Sequence, residues 1–234
     1  ADQFPLPDTI DTRFYLRSNG SANSAMGDGV LTSEGPLGSP DQYIYDPQNP
    51  VPTVGGNMCC TNNLLPSGAF DQREVEQRED VLVYTTSPLE EDLVVIGAVK
   101  VELWAKSSAP DTDFTAKLVD VYPANPDYPG GFDLNIGDGI VRARFRDSRT
   151  EEKLMNPGEV YEFEVRLYPT SNVFKKGHRI RVDIAGSNFP RFDVNPNTGE
   201  PLNENRRKMK AVNTIYHDKS RPSHILLPVI PSGF

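Results

Sequence analysis

Between Gly158 and Asp193 the chain reads GEVYEFEVRLYPTSNVFKKGHRIRVDIAGSNFPRFD, and its apolar residues fall on alternate positions. Tyr161, Phe163, Val165 and Leu167 share one parity, while Glu162, Glu164 and Arg166 share the other. Further on, Ile180, Val182 and Ile184 alternate with Arg179, Arg181 and Asp183. Successive side chains of a strand point to opposite faces, so each run predicts a strand with one apolar and one wet face. Together they predict a hairpin. A sheet wet on one side is normally antiparallel and covers its dry side with a second sheet, which makes this segment half of a β-sandwich.

The two-residue period recurs along the chain. Thr12 to Leu16 predicts a short strand closed by Ser18-Asn19-Gly20, and Val30-Leu31 another after the turn Gly27-Asp28-Gly29. Glu34 to Pro40 reads as loop, and Asp41 to Tyr45 as a strand stopped by Asp46-Pro47. From there to Asp80 no period is visible. A structureless segment of that length is uncommon in a compact domain and usually functional. Strands are predicted at Val81 to Thr85, Leu93 to Ile96, Val99 to Lys106, Asp113 to Val121 and Ile140 to Phe145. Trp104 falls on the wet parity of its strand. Ala124 to Gly139 and Asn195 to Asn205 read as loops, and Val212 to Tyr216 and His224 to Leu227 as the closing strands. Helical periods, repeats and heptads are absent. Many short strands joined by long loops predict one all-β domain over residues 1–234, a jelly-roll sandwich. Its shared core should hold Val101, Leu103, Phe163, Val165, Val182 and Ile184.

Composition narrows the function classes. A net charge of −9 argues against nucleic acid or an anionic membrane as partner. No apolar run is long enough to span a bilayer, and no basic-then-apolar leader opens the sequence. With 2 cysteines there is no disulfide scaffold, and the compartment stays open.

Catalytic chemistry is hard to find. There is no Gly-x-Ser-x-Gly elbow, nor any Gly-x-Ser. His178, His217 and His224 sit at a turn and near the closing strands with no evident nucleophile, and read as ordinary turn or surface residues. No catalytic residue is assigned. Asp111, Asp113, Asp127, Asp133 and Asp138 cluster in loops, but their spacing is not that of an EF-hand and Asp is a common turn former. Neither a metal nor a cofactor is assigned. Cys59-Cys60 are neighbours, a geometry that strains a disulfide, so two free thiols are the default. Beside Gly55, Gly56 and Met58 they read either as small buried hydrophobes or as pocket lining. The run Arg206-Arg207-Lys208 with Lys210 reads as a solvated loop face.

Several stretches together resemble one family. They are YLRSNGSANS, DQYIYDPQNPVPTVGGNMCC, FDQREVEQREDVLVYTTSPLEEDL, SSAPDTDFTAKLVDV, LNIGDGIVRARFR, TSNVFKKGHRIRVDIAGSNFPRFDVNPNTG and YHDKSRPSHILLPVIP. The chain looks like the C-terminal domain of the cocaine esterase and X-Pro dipeptidyl-peptidase class of serine hydrolases, over nearly its whole length. The resemblance implies a galactose-binding-type jelly roll docked on a catalytic α/β-hydrolase domain with a helical cap. It also implies that the Ser-Asp-His triad lies in that other domain and that this chain is a non-catalytic piece of a larger enzyme. Partners would be the catalytic domain of the same polypeptide and a small ester, amide or X-Pro peptide. Without that domain an apolar docking face would be left open to self-association.

Two segments are then expected to wall the substrate pocket or meet the catalytic domain. One is the loop Thr53 to Leu65, with Asn57, Met58, Cys59 and Cys60; the other is the turn carrying Asn188, Phe189, Arg191 and Phe192. For the turn, burial of both rings in the sandwich is the competing expectation. The alternative function is a carbohydrate-binding module, in which Trp104 would stack on a sugar ring.

Overall fold

The computed structural model describes residues 4–58, 65–204 and 206–231. The strands of its first half are β1 (Ile10–Asn19), β2 (Val30–Thr32), β3 (Leu37–Ser39), β4 (Asp41–Tyr45), β5 (Val81–Thr85) and β6 (Leu93–Gly97). Then come β7 (Lys100–Ser107), β8 (Asp113–Tyr122), β9 (Phe132–Arg142) and β10 (Tyr161–Arg166). β11 (Thr170–Phe174), β12 (Arg179–Ala185), β13 (Ala211–Tyr216) and β14 (His224–Ile230) close the list. Among the described residues the helical elements are two 3-10 turns, Val75–Gln77 and Ala143–Phe145.

All these strands join one sheet, not closed into a barrel, that folds over into two layers. In the first, β7 has β10 on one side and β13 and β14 on the other; β4 lies beyond β13, and β1 and β6 beyond β14. The second layer runs β5-β12-β8-β9, and β2 links the two by pairing with both β1 and β5. The chain is therefore an all-β sandwich. Val101, Leu103, Phe163 and Val165 from the first layer and Val182 and Ile184 from the second share one core, as their alternation predicts. Phe114 and Phe163 meet across it with ring centroids 4.7 Å apart. Each large side chain so buried contributes about 1.5–3 kcal/mol relative to exposure.

Four sequence expectations are corrected. β10 and β12 do not form a hairpin: β10 pairs with β7 and β12 with β5 and β8, and β11 lies between them in sequence and pairs with β6. Thr170–Phe174 carries few apolar residues, so nothing marked it as a strand. β9 starts at Phe132, inside the expected Ala124 to Gly139 loop, and ends at Arg142, short of Phe145. Its Asp, Asn and Gly residues read locally as turn chemistry, yet the ladder with β8 holds them extended. β3 lies inside the expected Glu34 to Pro40 loop.

The fourth correction bears on function. Asp183 was expected on a wet face, but is 3% exposed. The aperiodic segment from Asp46 onward lies across the outside of the second layer as a third cover, and a small second core of Val51, Val75, Val81, Val83 and Ala185 seals it. This is why β5 reads as the unbroken apolar run VLVYT: it is buried on both faces.

Candidate functional site

The two candidate segments come together at one apex of the sandwich. Pro52 bridges Phe189, with the Phe189 N–H donating to the Val51 carbonyl at 2.9 Å and the Thr53 N–H to the Phe189 carbonyl at 2.7 Å. The Ser187 hydroxyl accepts the Val51 N–H at 2.9 Å, and the Thr53 hydroxyl accepts the Arg191 N–H at 3.2 Å. The 53–58 loop then turns through Gly55 and Gly56 (φ +65° and +133°), a region of backbone space that favours glycine. Gly56 exchanges two hydrogen bonds with Gly68, at 2.7 and 2.9 Å. A Cβ on Gly56 would stand 2.9 Å from Arg191 Nη1 and 3.1 Å from Met58 Cε, so the absence of side chains lets this loop close on the turn. Gly55 is equally constrained by Gly68 and Phe70.

Arg191 is the centre of the apex. Its side chain is 7% exposed, and Nη2 lies 3.0 Å from Asp138 Oδ1 on β9. Asn188 donates from Nδ2 to the other Asp138 oxygen at 2.8 Å. The guanidinium lies 5.3 Å from the Phe192 ring centroid and 5.7 Å from that of Tyr168. Burial pushes the Asp138 carboxyl up from its ordinary pKa, against the pull of Arg191 and Lys117. Phe189 is exposed and Phe192 half-buried, and neither enters the main core, which settles the competing expectation for the turn. Asn57 is exposed and Met58 half-buried at the lip of the loop. Cys59 and Cys60 lie outside the described residues.

Beneath the loop is a platform of buried charge. Gln72 donates to the carbonyls of Val54 and Phe70, each at 2.9 Å, and accepts from Lys117 Nζ at 2.9 Å. Arg181 bridges the carboxylates of Glu76 and Asp133. Burial and the neighbouring Asp183 raise the Glu76 carboxyl strongly, and burial raises Asp183 too. The apex thus stands on groups that are costly to uncouple.

Ser, His and Asp do meet elsewhere. Ser18 donates to Asp41 Oδ2 at 2.6 Å, while His217 Nε2 lies 2.9 Å from the same oxygen and 3.3 Å from the Ser18 hydroxyl. A catalytic triad divides its two ring nitrogens between nucleophile and carboxylate. Here one nitrogen serves both, and Nδ1 has no hydrogen-bond partner. All three side chains are buried, so no substrate reaches the hydroxyl. The cluster is structural. Nor are the other histidines plain surface residues. His224 is buried, accepting from Arg13 and donating from Nδ1 to the Pro222 carbonyl, and His178 binds Asp120 at 2.8 Å. The separations in sequence, 23 residues from Ser18 to Asp41 and 176 from Asp41 to His217, left no local signal for this cluster. The loop aspartates serve largely as counter-ions: Asp111 to Arg144, Asp113 to Arg142, Asp133 to Arg181 and Asp138 to Arg191.

Comparison with known proteins identifies the family. The family described as the X-Pro dipeptidyl-peptidase C-terminal non-catalytic domain matches residues 1–226. The chain belongs to that family. Cocaine esterase from Rhodococcus sp. (strain MB1 Bresler) is 45% identical over 230 residues, covering 97% of this chain and 39% of the esterase. A putative Xaa-Pro dipeptidyl-peptidase of Bacillus anthracis is 28% identical over 126 residues, 52% of this chain and 19% of that protein. Among solved structures, an aminopeptidase from a marine sediment Thaumarchaeota archaeon superposes with a TM-score of 0.84 at 29% identity, covering 98% of this chain and 38% of its own. An α-amino acid ester hydrolase gives a TM-score of 0.82 at 32% identity, over 94% of this chain and 36% of its own. The chain therefore spans well under half the length of these relatives. It is a non-catalytic domain of the X-Pro dipeptidyl-peptidase type. These descriptions name peptidases and esterases, which leaves the carbohydrate-binding alternative without support. Trp104 sits half-buried between Glu162 of β10 and Tyr216 of β13.

Proposed function

We propose that this chain is the C-terminal domain of a serine hydrolase of the acyl esterase and X-Pro dipeptidyl-peptidase class, with a galactose-binding-type jelly roll. In that reading residues 1–234 form a single domain packed on the α/β-hydrolase domain of the same polypeptide. The apex built from the 53–58 loop and the 188–192 turn walls the pocket for a small ester, amide or X-Pro peptide. The observation that carries this is the convergence of both loops on Arg191 above a platform of buried charge, with Met58 half-buried against Gly56 and Phe189 exposed at the edge. Such a wall can orient an acyl group and exclude water, which together can supply several kcal/mol of a barrier's reduction. It offers no nucleophile of its own.

The purified chain is accordingly expected to turn over neither ester nor X-Pro substrate and to take up no fluorophosphonate label, whereas the full-length protein takes up one. Labelling of a serine within this chain, with turnover that survives further purification, contradicts the proposal.

A further inference from the structure

We infer that the platform beneath the apex encloses a binding site for one water molecule, held by Asp183, Lys117 and Ser187. The site belongs to the fold of this chain and stands whether or not the apex walls a pocket. Lys117 on β8 lies opposite Asp183 of β12 in one ladder and opposite Asp138 of β9 in the other. Among the described residues its ammonium reaches one hydrogen-bond partner, the Gln72 oxygen at 2.9 Å, and both Asp183 oxygens reach none. An ammonium has three hydrogens to donate and a carboxylate two oxygens to fill, and burying either unfilled is costly. The two side chains line one cavity of about 10 Å³ together with Thr115 and Ser187. Its other walls come from the small second core, and every residue that lines it is buried. A cavity of about this size takes a single water and nothing larger.

Donors and acceptors around the cavity match one water. The Ser187 hydroxyl accepts the Val51 N–H at 2.9 Å and has its own hydrogen left to donate. Thr115 donates to the Ala185 carbonyl at 3.2 Å and can accept in return. A water that takes hydrogens from Lys117 and Ser187 and gives its own to Asp183 and Thr115 fills all its bonding positions. Glu76 cannot replace it, because a single proton on that carboxyl serves one Asp183 oxygen and leaves the other. Charge disfavours a cation. Glu76 is pushed up to about 10 and is neutral near pH 7, which sets Asp133, Asp138 and Asp183 against Arg181, Lys117 and Arg191. That set is balanced, and a further positive charge in it would be unpaired. Voids that stay dry are apolar, whereas four of the eight residues lining this one are polar. The water thus joins β8 and β12 to the outer cover, through the same hydroxyl that fixes Val51 beside Phe189.

A crystal structure of the full-length enzyme in rubidium chloride near pH 8, where Asp183, raised to about 6, is ionised, tests this. One isolated peak is expected in the cavity, within about 2.6–3.2 Å of an Asp183 oxygen and of Lys117 Nζ or the Ser187 hydroxyl. It should carry no anomalous rubidium signal and be as well ordered as the side chains around it. Asp183→Asn keeps the shape and an acceptor oxygen, so the peak should persist there. Asp183→Leu keeps a similar volume without an acceptor and should lose the peak; if that variant does not fold, Asp183→Asn carries the comparison. Several outcomes overturn the inference. They are a cavity without density, a direct Lys117–Asp183 ion pair that closes it, and a rubidium signal at the site. Loss of the peak in Asp183→Asn, or its persistence in Asp183→Leu, does the same.

Discussion

Asp41→Ala is expected to remove about 3–5 kcal/mol of the chain's stability, the cost of breaking a buried, hydrogen-bonded charge. Asp41 accepts hydrogen bonds from Ser18, the Ala22 N–H and Tyr84, and its Oδ2 lies 2.9 Å from His217 Nε2. It ties β1, β4, β5 and the start of the β13–β14 connection into one knot. Removing it leaves the Tyr84 hydroxyl and the Ala22 N–H without an acceptor at a buried place, and each such loss carries roughly 1–3 kcal/mol. Burial pushes the Asp41 carboxyl up, but the bonds from His217, Ser18, Ala22 and Tyr84 outweigh it and hold it below its ordinary value. A carboxyl held lower in the folded state than in the unfolded chain stabilises in full at neutral pH and loses that contribution as pH falls through the folded value. Urea unfolding near pH 7 should show the loss. The acid limb of the stability curve should be shallower in the variant than in the unaltered chain. A loss under about 1 kcal/mol means the cluster is not holding these strands together.

Arg181→Met should be nearly as damaging and should worsen with pH. The substitution keeps much of the side chain's volume but strands Glu76 and Asp133, with Lys117 as the buried cation left nearby. A loss of about 3–5 kcal/mol is expected. Burial and Asp183 raise the Glu76 carboxyl above its unfolded value, while Arg181 pulls it down. Between those two values the folded state binds a proton that the unfolded chain has released, so stability declines as pH rises. Without Arg181 the window widens upward and the decline deepens. Glu76 is pushed up to about 10 with Arg181 present, so the two proteins run parallel below that value, and unfolding at pH 9 and pH 11 should show the larger loss at pH 11. Adding Glu76→Gln, which cannot ionise, should restore part of the stability and flatten the dependence. An equal loss at both pH values with no recovery in R181M/E76Q contradicts this picture of the platform.

Both clusters mark the boundary of what the sequence discloses. β7 and β10 were legible because each keeps one face on the core and one toward solvent, and a period of two survives in their residues. β12 carries the same period, yet its polar face is covered, since Arg181 and Asp183 are met by charges from Glu76, Asp133 and Lys117 far away in sequence. Alternation reports polarity and says nothing of what lies on top. β9 was hidden by residues that favour turns when read locally and become strand only against β8. The apex was legible in its two halves, through the paired glycines and the aromatic turn. Its closure on Asp138, Gly68 and Tyr168 was not, because contacts between distant side chains leave no trace in spacing.

The central claim is that the apex shapes the substrate pocket without taking part in the chemistry. Met58 is the residue to test, being flexible, polarizable, half-buried and packed against Gly56. Steady-state kinetics of Met58→Ala in the full-length enzyme, on two substrates of different acyl size, read the claim directly. The expected result is a KM raised about 5–10-fold for the larger acyl group, a changed preference between the two, and kcat within about 2-fold, since uniform binding is lost and no reacting proton is touched. Unchanged KM and unchanged preference on both substrates contradict the account and leave the loop as packing alone.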